Sequence, residues 1–116
     1  MKMNEVLNEY MENCESSGKY VATMETYRNA ISYFIAYAEE KGITEIEEVK
    51  TATLVGWKNL KAKEISPITL KLYCSALNGF FSFASEMEYI EKNPYSAKLM
   101  EVKVKESDLK NGGHYA

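Results

Sequence analysis

Arginine and histidine each occur once in these 116 residues, as Arg28 and His114, and cysteine only twice, as Cys14 and Cys74. That scarcity excludes much active-site chemistry. There is no paired His and Asp, neither Cys has a His near it in sequence, and no Gly-rich loop is present to cradle a phosphate. The two Cys form no C-x-x-C pair, so a structural metal site is not expected. No apolar run approaches the roughly 20 residues of a membrane span. The opening MKMNEVLNEYMENC is too acidic and too broken for a signal peptide. One thiol on each of two helices fits a reducing, cytoplasmic setting. No cofactor, metal or membrane partner is expected.

What is present describes a folded chain. With 46% hydrophobic and 27% charged residues it is neither disordered nor fibrous in composition, and its length suits one domain with a modest core. The net charge of −3 argues weakly against nucleic acid, but it is unevenly spread. Residues 1–48 hold four basic side chains (Lys2, Lys19, Arg28, Lys41) and ten acidic ones, a balance of −6. Residues 49–116 hold ten Lys against seven acids, a balance of +3. A local basic surface is compatible with an acidic whole.

Four main helices are expected. Met3, Leu7, Tyr10, Met11 and Cys14 repeat at helical spacing over residues 4–16, and Gly18 suits a left-handed C-terminal turn. A second helix starts at residues 20–23, with Thr23 as an N-cap or first-turn residue, and ends at Lys41-Gly42. Its core stripe is Met24, Tyr27, Ile31, Phe34, Ile35 and Ala38; Tyr33 and Tyr37 lie off it and are expected to pack on the first helix or on a neighbouring subunit. Ile43, Ile46 and Val49 then cross the domain. A third helix, residues 52–63, is capped by Thr51, buries Leu54, Val55, Trp57 and Leu60, and carries Lys58, Lys61 and Lys63. The fourth begins at Ser66-Pro67, a cap followed by the one helical position where a missing N–H costs nothing. It buries Leu70, Cys74, Leu77, Phe81 and Ala84, with Tyr73 and Phe80 beside them, and ends at 87–89 before Asn93-Pro94. Gly79, in mid-helix, implies either a close neighbour or simple tolerance. Residues 96–100 suggest a short fifth helical turn. The expected fold is therefore all-α, a compact orthogonal bundle over 1–100, with 101–116 as a linker or tail in which 102–105 forms an extended piece.

The helices carry a familiar order of residues. Thr23-Met-Glu-Thr-Tyr27-Arg-Asn-Ala-Ile31-Ser-Tyr-Phe34, followed by Lys41-Gly42-Ile43, resembles the T-x-x-x-Y-x-x-x-[LI]-x-x-F opening of the core-binding domain of tyrosine recombinases, the phage-integrase family. Ser66-Pro67-Ile-Thr69-Leu, then Ser75-Ala76-Leu77-Asn-Gly-Phe80-Phe81-Ser-Phe-Ala84, resembles its S-P-x-T-[LI] and S-A-L-x-x-F-F helix, and Ile90-Glu-Lys-Asn93-Pro94 its closing I-x-x-N-P. The three motifs stand in order over about residues 5–100.

The resemblance implies a SAM-like helical bundle that clamps one side of a DNA duplex, while a separate catalytic domain carries the arginines, histidines and nucleophilic tyrosine. This chain has no H-x-x-R, and Tyr115 beside His114 is not expected to be a nucleophile. Expected partners are double-stranded DNA, the catalytic domain of the same recombinase and other recombinase subunits on DNA. On the fourth helix Lys71, Ser75, Asn78 and Ser82 fall at i, i+4, i+7 and i+11, a polar stripe without acid. Such side chains donate to phosphates, and Asn pairs with adenine in the major groove. Taken alone the stripe reads better as a plain solvated face; the resemblance reverses that preference and assigns it to DNA, with Thr23 and Thr69 as helix-start phosphate ligands. The family often carries Arg where this chain has Leu72, Tyr73 and Asn78, which implies weak binding by the isolated domain and reliance on the catalytic half. The second reading is a helical protein–protein interaction domain without DNA binding, favoured by the acidic first half.

Overall fold

The chain runs through α1 (Met3–Ser16), α2 (Val21–Glu40), a 3₁₀ turn (Ile46–Glu48), α3 (Thr51–Lys61) and α4 (Pro67–Glu86). The computed structural model describes residues 1–108. Among these no β-strand forms; one isolated antiparallel bridge joins Lys2 and Glu45. The architecture is an all-helical bundle in which α2 packs on α1, α3 and α4.

Local chemistry sets the helix ends. Ser66 is extended (φ −68°, ψ 155°), and its Oγ accepts the Thr69 N–H at 3.3 Å while Pro67 fills the first helical position. Helices α1 and α2 close on Gly18 (φ 81°) and Gly42 (φ 80°). In each, the next two N–H groups reach back to the last turn: Gly18 to Glu15 and Lys19 to Cys14, Gly42 to Glu39 and Ile43 to Ala38. Helix α4 closes with the same bonds, Glu88 to Ser85 and Tyr89 to Ala84, but there the left-handed position holds Glu88 (φ 63°) rather than glycine. The short fifth helical element is the turn at Ile46–Glu48; residues 96–100 make one hydrogen-bonded turn, Met100 N to Ser96 O at 2.9 Å.

The core is aromatic at its centre. Phe34 meets Trp57 and Phe81 edge-on at 6.0 and 5.9 Å, Phe81 meets Phe80 at 5.1 Å, and Tyr10 reaches Phe80 and Phe83 at 6.1 and 5.4 Å. Ile31, Phe34, Leu77, Phe81 and Ala84 are fully buried and Leu70 nearly so. Met24 and Tyr27 are only half-buried, because they lie on the first turns of α2, where Tyr27 turns its ring to Lys19 at 5.9 Å. Phe80 is fully buried rather than flanking the core, since α1 covers that side of α4 through Tyr10. Leu60 is exposed, at the far end of α3. Tyr33 and Tyr37 pack away from α1: Tyr33 stacks on Tyr73 of α4 at 6.0 Å, and the Tyr37 hydroxyl stands over Gly56 of α3. Thr51 is the first residue of α3, not its cap. Lys50 holds the cap position, its N–H donating to Thr53 Oγ1 at 3.4 Å, while Thr51 Oγ1 donates to Pro94 O at 2.7 Å and ties α3 to the segment after α4. Gly79 is explained by close approach: a Cβ there would fall on the Tyr10 hydroxyl.

Candidate nucleic-acid interface

Helix α4 presents the polar stripe on its surface. Lys71, Ser75 and Asn78 are exposed, and Ser82 is half-buried. Ser75 Oγ donates to Lys71 O at 3.0 Å, a bond back into its own helix that a stronger acceptor displaces readily. Ser82 Oγ donates to Asn78 Oδ1 at 3.5 Å, leaving the Asn78 amide nitrogen free to donate outward. Among the described residues no carboxylate lies within ion-pair distance of Lys71.

The two threonines stand differently. Thr69 is 9% exposed, and its Oγ1 accepts from Ser66 Oγ at 3.0 Å. Thr69 therefore organises the start of α4 and offers little to an outside ligand without displacing Ser66. Thr23 is the third residue of α2, behind an N-cap at Tyr20, and is half-buried. Thr23, Thr69 and Ser82 do not line the groove that holds Lys71, Ser75 and Asn78.

That groove, about 640 Å³, runs between α4 and the segment leaving the bundle. Lys71, Ser75 and Asn78 form one wall; Glu101, Lys103 and Val104 lie on the other. The second wall escaped the sequence reading, although the alternation in Val102-Lys103-Val104-Lys105 carried its signal. Cys74 also lines the groove, 3% exposed; burial pushes its thiol up to about 11, with Lys58 pulling the other way, so it stays protonated and inert. A larger groove, about 720 Å³, lies beyond the C-terminal end of α4. It is lined by Glu47, Glu88 and Glu91 against Lys50 and Lys92, an acid excess that disfavours phosphate.

Of the three lysines the sequence places on the third helix, Lys63 lies beyond the end of α3 and is exposed, and the other two are already engaged. Lys58 Nζ donates to Leu99 O at 2.8 Å and Glu101 O at 3.0 Å, and Lys61 pairs with Glu64 at 3.2 Å under the Tyr33 ring. The α3 cluster is thus a poorer phosphate site than the α4 stripe. Among the described residues no group of three or more His, Cys, Asp or Glu is placed to hold a metal, and no helix is long and apolar enough to cross a membrane. His114 and Tyr115 lie outside the described residues.

Comparison with known proteins agrees with this architecture. The model of the phage integrase SAM-like domain matches residues 2–104. The fold is similar to the crystal structure of the N-terminal domain of a phage integrase/site-specific recombinase from Haloarcula marismortui, with TM-score 0.77 and 19% identity over 89% of this chain and 97% of that one. No curated protein matches the chain. With its motifs in order, its helices in the family's arrangement and the family match spanning nearly its whole length, the chain belongs to the phage integrase SAM-like domain family.

Proposed function

We propose that this domain is a non-catalytic DNA-binding module of a site-specific tyrosine recombinase, covering one side of the recombination-site duplex while a catalytic domain beyond the segment at 101–116 covers the other. The observation that carries the reading is the acid-free stripe of α4, with Lys71 unpaired among the described residues and Ser75 and Asn78 exposed beside it. Lys71 neutralises a phosphate, Ser75 and Ser82 donate to backbone oxygens, and Asn78 reaches a base edge. Thr69 acts by holding the α4 N-terminus in shape, and Thr23 adds a hydroxyl from α2. The acidic helix α1 stands off the duplex, and the negative balance of the first half limits the affinity of the domain alone.

A protein-contact role has its own observation: Tyr20 and Val21, at the start of α2, are 83% and 70% exposed. That pair suits a neighbouring recombinase subunit. Titration of duplex DNA against the domain at several salt concentrations separates the readings. A DNA module shows affinity that falls linearly with log salt, because phosphate contacts release counterions; a pure protein-interaction domain shows no salt-sensitive duplex binding at all.

A further inference from the structure

The segment that leaves the bundle is docked with a fixed register. Over residues 101–105 exposure alternates: Val102 and Val104 are half-buried, while Glu101, Lys103 and Lys105 are exposed. That is the period-two pattern of an extended chain lying on a surface, and Val102 packs against the core. Among the described residues no backbone–backbone hydrogen bond ties 101–104 to the helices. The polar hold on the segment is the Lys58 ammonium, bonded to the carbonyls of Leu99 at 2.8 Å and Glu101 at 3.0 Å.

The consequence lies across the groove. Lys103 lines the wall opposite Lys71, and among the described residues neither has a carboxylate within ion-pair distance. Five lysines are engaged internally: Lys2 with Glu45, Lys61 with Glu64, Lys58 with two carbonyls, and Lys19 and Lys41 over the rings of Tyr27 and Tyr37; what sets Lys71 and Lys103 apart from the remaining lysines is the groove they share. Two unneutralised cations lining one groove favour an anion bound there. Resting on the DNA reading of α4, the geometry points to Lys103 as a second phosphate-binding cation of the interface, with Lys58 as the residue that positions it. The DNA backbone then runs along the groove between α4 and the departing segment, and Glu101, on the same wall as Lys103, opposes it.

The test uses the full chain and a duplex of arbitrary sequence across a salt series. Lys103→Ala is expected to lower the slope of log affinity against log salt by about one unit, as is Lys71→Ala, and the double variant by about two. Glu101→Gln is expected to tighten binding at low salt. Lys58→Met is expected to weaken binding and to speed hydrogen exchange at residues 99–104, with Lys58→Arg restoring both. Lys98→Ala, outside the groove, leaves the slope unchanged. If Lys71→Ala lowers the slope and Lys103→Ala does not, the second wall is wrong and the α4 reading stands. If neither changes it, both fall. If Lys58→Met weakens binding without faster exchange at 99–104, its positioning role is overturned.

Discussion

A methyl group added to Gly79 would land on the Tyr10 hydroxyl, with the ring carbon Cζ only 3.2 Å away. Tyr10 has little room to retreat. It is 6% exposed and lies against Phe80 and Phe83, and burial beside Cys14 pushes its pKa far above the usual tyrosine value. Alanine in a helix interior gains up to about 1 kcal/mol over glycine, whereas overpacking a well-filled core costs about 1–3 kcal/mol. The core term wins, and Gly79→Ala is expected to lose about 1 kcal/mol. Gly56 supplies the contrast. Its Cβ would stand 2.8 Å from the Tyr37 hydroxyl and 3.9 Å from Cζ. Tyr37 is half-buried, so its tip can swing outward, and Gly56→Ala is expected to be neutral or to gain up to about 0.5 kcal/mol. Urea unfolding reads both variants as midpoint shifts at constant m. Adding Tyr10→Phe to Gly79→Ala removes the clashing oxygen, so the double-mutant cycle should show favourable coupling. A Gly79→Ala variant as stable as Gly56→Ala would refute the claim that α1 is seated on α4 at this point.

Three further outcomes are expected. Glu88→Gly should raise stability by about 1 kcal/mol in the same urea assay, because Glu88 holds the left-handed position that closes α4, where a β-carbon is penalised. Tyr10 and Tyr95 should resist ionisation: burial raises both, Tyr95 to about 12, so the folded state favours their neutral forms. The stability they contribute is intact below pH 10 and lost as pH rises, through about 12 for Tyr95 and higher still for Tyr10, and ultraviolet titration should show these two ionising with alkaline unfolding rather than before it. Asn78→Ala should cost about 1–3 kcal/mol on a cognate duplex and little on a scrambled one, measured in the full-length recombinase; equal losses on both would make Asn78 a backbone contact.

Much of the fold was legible where the controlling chemistry is local. Ser66-Pro67 announces α4 because the cap and the ring act within one turn, and Gly18 and Gly42 mark the ends of α1 and α2 for the same reason. Glu88 gave no such sign, since three hydrogen-bonded closures of one type need not share a residue type. Burial was harder at the edges. Periodicity cannot tell that α4 is covered by α1 as well as α2, which buries Phe80, or that the end of α3 is uncovered, which exposes Leu60. The partners of Tyr33 and Tyr37 are long-range and carry no local pattern. The α4 stripe was readable as a helical spacing, and the structure keeps Lys71, Ser75 and Asn78 together along one groove. The opposite wall was legible only as an alternation at 102–105; its seating on the bundle was not, because that depends on Lys58 reaching two carbonyls more than forty residues away.

The central claim is that the polar stripe of α4 meets DNA. Amide chemical-shift mapping of the isotopically labelled chain during titration with duplex DNA tests it most directly, since it locates the contact instead of inferring it from loss of binding. The account predicts salt-sensitive shifts concentrated at Lys71, Ser75, Asn78 and Ser82, extending to Lys103 across the groove. Shifts confined to the acidic helix α1, or none at low salt with the fold intact, would contradict it.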